Sequence, residues 1–136
     1  MSHLSTYSND CLKTTERSML LKSLREIEVE LDFNNRTIRN TWIESTVDAA
    51  IVYKGKRIAA GLNFKTNEDG TESVEVVGDF YGTGLNQEAF TNQIAQVYKK
   101  NDIINKCEEQ RWYIDEENVT MNDKGEYVIQ AYRYAE

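Results

Sequence analysis

The sequence predicts a single α+β domain, residues 1–136, with two helices packed on one face of a mostly antiparallel, loosely ferredoxin-like sheet. Two stretches have apolar residues at helical spacing, which predicts two helices. Several short segments with strand character are separated by tight turns, which is typical of antiparallel strands. Proline is absent from all 136 residues, so there is no Pro-rich linker to divide the chain.

The first helix is predicted to begin near Glu16, after an opening strand within residues 3–9. Thr14 and Thr15 are candidate N-cap residues because a hydroxyl can accept a hydrogen bond from the first turn. The predicted helix has an apolar stripe formed by Leu20, Leu24 and Ile27.

Between positions 26 and 33 apolar and acidic residues alternate, which predicts a strand with one apolar and one acidic face. The apolar members are Ile27, Val29, Leu31 and Phe33, and the acidic members are Glu26, Glu28, Glu30 and Asp32. Neighbouring carboxylates on such a strand are about 6–7 Å apart. Residues 34–35, two asparagines, are expected to end it.

The middle of the chain predicts an antiparallel meander. Residues 36–46 are polar and are interpreted as a loop. Strands are predicted at 47–53, 57–65 and 71–80, joined by glycine-containing turns at 54–56 and 67–70.

The second helix is predicted to run from about Gln87 to Glu109, with Asn86 as its N-cap. After it, two strands are predicted around Trp112 and Ile114 and around 127–131, with residues 122–125 as the turn between them.

The composition favours a protein partner. The net charge is −7, which disfavours direct nucleic-acid and membrane binding and favours a basic protein surface. No apolar run reaches the roughly 20 residues that span a bilayer. Cys11 and Cys107 are far apart, so we expect unpaired thiols, buried as small apolar side chains, and a cytoplasmic location.

Two groups of residues are candidate partner-binding sites. The first is the acidic face of Glu26, Glu28, Glu30 and Asp32. The alternatives for this face are an ordinary solvated strand face, or a divalent cation site if Glu75 and Asp79 lie near it. The second is an aromatic edge formed by Tyr132 and Tyr134 beside Arg133, with Tyr127 on the opposite strand face. Ordinary sheet packing and base stacking on single-stranded nucleic acid are the alternatives for that edge.

Other candidates for chemistry are weaker. His3 with Cys11 and Cys107 would form a metal site only if the three converge, and Ser2 could act as an N-terminal nucleophile. The glycine-rich stretch 78–84 precedes a helix N-terminus, a geometry that favours anions, but it lacks the phosphate-loop signature. We therefore expect no cofactor and no catalytic residue.

The chain resembles a family of small uncharacterised proteins from algal plastids, cyanobacteria and other bacteria. The resemblance lies in the opening residues 1–6, a leucine-rich helix at 20–24, and the stretches 47–52, 78–80, 90–98 and 107–111. Leu4, residues 110–111 and the polar stretch 34–46 depart from the family pattern. Family members occur beside AAA-class ATPases, which implies an accessory or adaptor role and, in an organelle, a plastid stroma location.

The sequence thus favours a non-enzymatic interaction protein, an adaptor or regulator that docks through its acidic face and aromatic edge. One alternative is an acidic inhibitor whose carboxylates imitate nucleic-acid phosphates in a basic groove. A second alternative is a small metal-dependent or carboxylate enzyme, which requires a cleft where Glu28 or Glu30 meets Glu75, Asp79 or His3.

Overall fold

The structure is a computed structural model that describes residues 4–39, 44–80, 83–114, 116 and 119–133. In chain order its elements are β1 (Ser5–Tyr7), a 3₁₀ helix (Asp10–Leu12), α1 (Arg17–Glu26), β2 (Val29–Asp32), β3 (Thr37–Arg39), β4 (Glu44–Thr46), β5 (Ala49–Tyr53), β6 (Lys56–Thr66), β7 (Glu72–Gly78), α2 (Gln87–Glu109), β8 (Trp112–Ile114), β9 (Thr120–Met121), β10 (Tyr127–Val128) and β11 (Ala131–Arg133).

Five strands form the main sheet, in the antiparallel order β1-β7-β6-β5-β2. The meander β5-β6-β7 is confirmed, as are the α+β class and the span of α2. Gly55 and Gly70 occupy the tight turns with φ of 79° and 87°, a conformation that costs glycine little.

The larger core lies between the two helices and one face of this sheet. Leu20 and Leu24 of α1 and Phe90 and Ile94 of α2 contribute to it, each at most 4% exposed. On the sheet side it contains Val29, Ile51, Leu62, Val74 and Val76. Because these strand residues alternate along their strands, the remaining strand residues point to the second face.

A hairpin of β3 and β4 covers part of the second face, so the predicted loop at 36–46 is wrong for its described residues. Ile38 and Val47 pack there against Ala50 and Val77 in a second apolar cluster. The close approach requires Gly61, because a Cβ atom there would lie 2.6 Å from Cγ2 of Val47. The polar character of 36–46 hid this hairpin, since only Ile38 is anchored among its described strand residues.

The predicted acidic strand is wrong in its first half. Helix α1 continues to Glu26, and Glu28 has a φ of 61° in the turn that follows. Strand β2 therefore begins only at Val29, and of the four carboxylates only Glu30 and Asp32 lie on it.

Helix α1 begins differently from the prediction. Thr15 is buried and exchanges backbone hydrogen bonds with Glu72, so it joins the chain to β7 and is not an N-cap. The N-cap position is Glu16, whose backbone N–H donates to the Tyr98 hydroxyl at 2.9 Å.

The pairing after α2 also differs from the prediction. β8 pairs with β11, and the turn at 122–125 joins the short strands β9 and β10. The described C-terminal residues thus form one long, interrupted hairpin instead of two strands joined by a tight turn.

We expect Ile94→Ala to lower the free energy of unfolding by about 2–5 kcal/mol, because the side chain is fully buried between α2 and the sheet. Urea denaturation followed by circular dichroism measures this change. The exposed neighbour Gln93→Ala is the matched control and should change it by no more than about 0.5 kcal/mol. Equal effects of the two substitutions would contradict the assigned core.

Candidate functional site

The C-terminal hairpin, residues 112–133, returns along the outer side of α2. Ile114 is 4% exposed and is the apolar anchor at the start of the hairpin. Near its turn, Gln96 Nε2 donates to the Gly125 carbonyl oxygen at 3.2 Å. Between these points the Lys100 ammonium lies 5.3 Å from the Tyr127 ring centroid, a cation–π distance. The hairpin therefore contacts the helix at its first strand and near its turn.

The two faces of the hairpin differ in exposure. Tyr127 faces α2 through Lys100, whereas the Tyr132 hydroxyl donates to Oε1 of Gln130 at 2.9 Å on the outer face. The alternation of a strand places Val128 on that outer face too. Tyr127 thus contacts the helix, whereas Tyr132 is 53% exposed to solvent.

Three of the six large apolar side chains that are exposed in the described residues lie on the hairpin. Met121 is 55% exposed, Tyr132 53% and Val128 41%. The other large exposed apolar residues in the described ranges, Tyr7, Phe33 and Ile103, are each less than 40% exposed. The most exposed large apolar side chains described are therefore concentrated on this one element.

The same part of the chain is strongly acidic. Residues 112–136 include six acidic residues against two basic ones, so this segment carries −4 of the total charge of −7. An apolar surface inside an acidic segment is complementary to a surface that is both basic and apolar.

A polar junction connects α1, α2 and the hairpin. Its members are Ser23, Glu26, Lys100 and Asn101. Lys100 Nζ and Asn101 Nδ2 both donate to the Glu26 carboxylate, the former at 2.6 Å, and Asn101 Nδ2 also donates to Ser23 Oγ at 2.9 Å. Because Lys100 also contacts Tyr127, this junction links the hairpin to both helices.

The environment of Glu26 favours its charged form. Partial burial pushes the pKa of this carboxyl up, but the hydrogen bonds from Asn101 and Lys100 and the Lys100 charge outweigh it. The pKa of Glu26 is consequently held below its ordinary value, and at neutral pH the residue is an ion-pair partner inside the molecule.

The structure does not bring the four predicted carboxylates into one row. Glu26 belongs to the polar junction, and Glu28 lies in the turn after α1. Glu30 and Asp32 lie on the second face of the sheet, where Asp32 is paired with Arg57 at 3.0 Å. Glu75 is on β7, separated from β2 by two strands and hence by about 14 Å, so it does not join them.

The fold does not bring the other predicted site residues together. Ser2, His3 and Tyr134 lie outside the described residues. Cys11 is exposed, so its prediction as a buried residue is wrong, and Cys107 is half-buried in the last turns of α2. The predicted N-cap Asn86 is confirmed, because its side chain accepts the Ala89 N–H; residues 81–82 of the glycine-rich stretch are outside the described ranges.

Within the described ranges, no group of three or more His, Cys, Asp or Glu residues is placed to hold a metal ion. Neither described helix has the length and apolar character that crossing a membrane requires.

The family of the chain follows from a match over most of its length. A family described as "Protein of unknown function (DUF1257)" matches residues 23–128. The chain belongs to this family. No curated protein matches the chain, and no solved structure does.

The DUF1257 match extends from within α1 to the end of β10. It therefore contains the polar junction, the β3–β4 hairpin and the first part of the C-terminal hairpin. Strand β11, with Tyr132, lies beyond it. The outer face of the hairpin thus combines a residue inside the matched region, Val128, with one outside it.

Sequence reasoning missed the residues that fix the hairpin in place. Gln96 and Lys100 read as ordinary solvent-facing positions of a helix, and their partners are far away in the sequence. The face of Val128 follows from the sequence pattern, since Val128 is next to Tyr127 on one strand and neighbouring side chains alternate.

The lowered pKa of Glu26 predicts a pH effect. A depressed folded-state pKa contributes stability above the unfolded-state pKa of about 4.3, and this contribution is lost as the pH falls through the folded-state value. Glu26→Gln removes the charge, so the difference in unfolding free energy between wild type and variant should shrink below pH ~4.3.

Because the Glu26 side chain is 37% exposed, solvent screening limits the difference at pH 7 to about 1 kcal/mol. Urea titrations across pH 3 to 7, roughly the range of carboxyl titration, measure it. Glu30→Gln, at an exposed carboxylate with no described ion pair, is the control. A pH-independent difference for Glu26→Gln would show that the ion pair with Lys100 does not form in solution.

Proposed function

We propose that this DUF1257 protein is a non-enzymatic interaction protein that docks a protein partner through the outer face of its C-terminal hairpin. It acts as an adaptor or regulator of a larger assembly such as an AAA-class ATPase. The observation that carries this proposal is the exposure of Val128 and Tyr132 on that face, in a segment with a net charge of −4.

Exposed apolar residues grouped on one element favour a binding surface over random exposure. Tyrosine is common at binding hot spots because its ring gives a large buried area and its hydroxyl retains a hydrogen bond. Tyr132 has both properties here, with its hydroxyl already bonded to Gln130.

The attachment of the hairpin to α2 supports docking through a preorganised surface. Ile114, Gln96 and Lys100 hold the hairpin before any partner arrives. A surface that is ordered in advance loses less conformational entropy on binding, so more of the contact energy becomes affinity.

The charge of the segment indicates the chemistry of the partner. A basic surface is attracted by the six acidic residues of 112–136, which speeds the encounter, while apolar contacts with Val128 and Tyr132 slow dissociation. The candidate assembly comes from the family resemblance, in which members lie beside AAA-class ATPases.

In this proposal the acidic residues that attract the partner are those of the hairpin and not those of β2. Glu30 and Asp32 lie on the second face of the main sheet, away from α2 and the hairpin, and Glu26 is occupied by Lys100. A row of carboxylates that imitates nucleic-acid phosphates has no support among these residues, and no described cleft joins Glu30 to Glu75.

Replacing the outer apolar residues should abolish partner capture. We expect the double variant Val128→Ser with Tyr132→Ser to lose at least about tenfold in the yield of a partner that the tagged wild-type protein retains from its source cell, because both anchors are removed. Quantitative mass spectrometry after washes at low and high salt measures the yield.

Tyr7→Ser is the control, since Tyr7 is also exposed but lies on β1, outside the hairpin. It should retain the same partner. Loss of the partner in both variants, or in neither, would contradict docking through the hairpin.

Reversing charge on the hairpin should weaken the same complex without unfolding the protein. We expect Asp123→Lys with Glu126→Lys to lower the association rate by about tenfold at low salt, because the charge of the segment rises from −4 to 0 and the attraction to a basic partner is lost. Surface plasmon resonance with the captured partner at several salt concentrations measures it. A rate that is unchanged and insensitive to salt would show that the acidic segment does not steer the encounter.

A further inference from the structure

A second surface lies on the opposite side of the main sheet, between the β3–β4 hairpin and β6. Here the structure contains an open pocket of about 450 Å³, which we name the arginine pocket. Its polar lining is Asn35, Thr37, Arg39 and Arg57, and Ile38 and Ile58 are apolar lining residues. The size is within the range of small-ligand sites.

The two arginines are the charged residues that line this pocket within the described ranges. Arg57 makes one contact of 3.0 Å from Nη2 to Asp32, and Arg39 approaches Glu44 at 3.8 Å. A guanidinium group has five N–H donors, so each arginine keeps most of its donors for another acceptor. The Arg39–Glu44 pair is solvent-exposed and the Arg57–Asp32 pair is partly exposed, and exposed pairs contribute little to stability.

The two smaller polar residues add further donors. Oδ1 of Asn35 accepts the Thr37 N–H at 3.3 Å, which leaves its NH₂ group to donate into the pocket. Thr37 contributes a hydroxyl. The polar lining therefore presents mainly hydrogen-bond donors, which suits an anion with several oxygens.

We infer that the arginine pocket binds a phosphate monoester dianion. A carboxylate has two oxygens, which one guanidinium fork can bind together. A phosphate monoester has three terminal oxygens, which two guanidinium groups and the Asn35 amide can share. Ile38, which belongs to the apolar cluster on this face of the sheet, then borders the organic part of the ligand.

Direct contacts must supply this binding, because the net charge of −7 repels anions at long range. The planar fork of arginine, not its charge alone, is the recognising group. Exchange of arginine for lysine keeps the charge and removes the fork, and it therefore separates the two contributions. This inference does not depend on docking through the C-terminal hairpin.

The test uses the full chain and phenyl phosphate as the probe, titrated to about 10 mM at a pH of about 7.5, where the phosphate is dianionic. Chemical shifts of backbone amides and arginine Nε–H groups report where it binds. We expect saturable shifts at 35–39 and 57–59, and at least about tenfold weaker binding of benzoate, which offers only two oxygens.

The double variant Arg39→Lys with Arg57→Lys should weaken phenyl phosphate binding by at least about tenfold while its circular dichroism spectrum stays unchanged. Arg36→Lys is the matched control, because Arg36 pairs with Asp48 in the same region but does not line the pocket. It should bind as the wild type does.

A short peptide carrying phosphotyrosine, titrated in parallel, distinguishes the source of the phosphate. Tighter binding than that of phenyl phosphate indicates a phosphorylated protein, and equal or weaker binding indicates a small phosphorylated molecule. Shifts that map elsewhere, no saturation with phenyl phosphate, equal binding of benzoate, or equal losses in the double variant and the control would each overturn the inference.

Discussion

The positions of α1 and of the C-terminal hairpin relative to the main sheet depend on the burial of α2. Its apolar stripe, with Phe90, Ile94 and Tyr98, lies between the main sheet and α1. Polar contacts along the same helix then select one arrangement of the neighbouring elements. Gln87 Nε2 donates to carbonyl oxygens of β1 and β7, and the Tyr98 hydroxyl accepts the N–H that starts α1.

These contacts are specific because they are partly or fully removed from water. Burial raises the pKa of Tyr98 above its ordinary value, so its hydroxyl stays neutral and continues to accept the Glu16 N–H. Farther along α2, Asn101 and Lys100 reach the end of α1 through Glu26. In the described residues, no buried side-chain nitrogen or oxygen lacks a hydrogen-bond partner, so this packing leaves no uncompensated polar group there.

The sequence predicted those parts of the fold that depend on local pattern. Helix α2 and the meander have long periodic segments and glycine turns, and both agree with the structure. The prediction for residues 26–33 was wrong because a helical period and a strand period overlap there. Ile27 fits both the helical stripe of α1 and the alternation of β2, and the positive φ of Glu28 decides where one ends and the other begins. No pattern of residue types specifies that turn, since glutamate has no preference for positive φ.

The candidate surfaces were predictable only in part, for a related reason. The opposite orientation of the neighbours Tyr127 and Val128 follows from strand alternation, which a sequence displays. The arginine pocket requires β3 to lie across β6, a contact between segments about twenty residues apart that no local pattern encodes. The proposed surfaces therefore occupy different sides of one sheet: the hairpin outside the helices, and the pocket on the second face. A partner on the hairpin would leave the pocket open, so a phosphorylated ligand could bind while the protein remains docked.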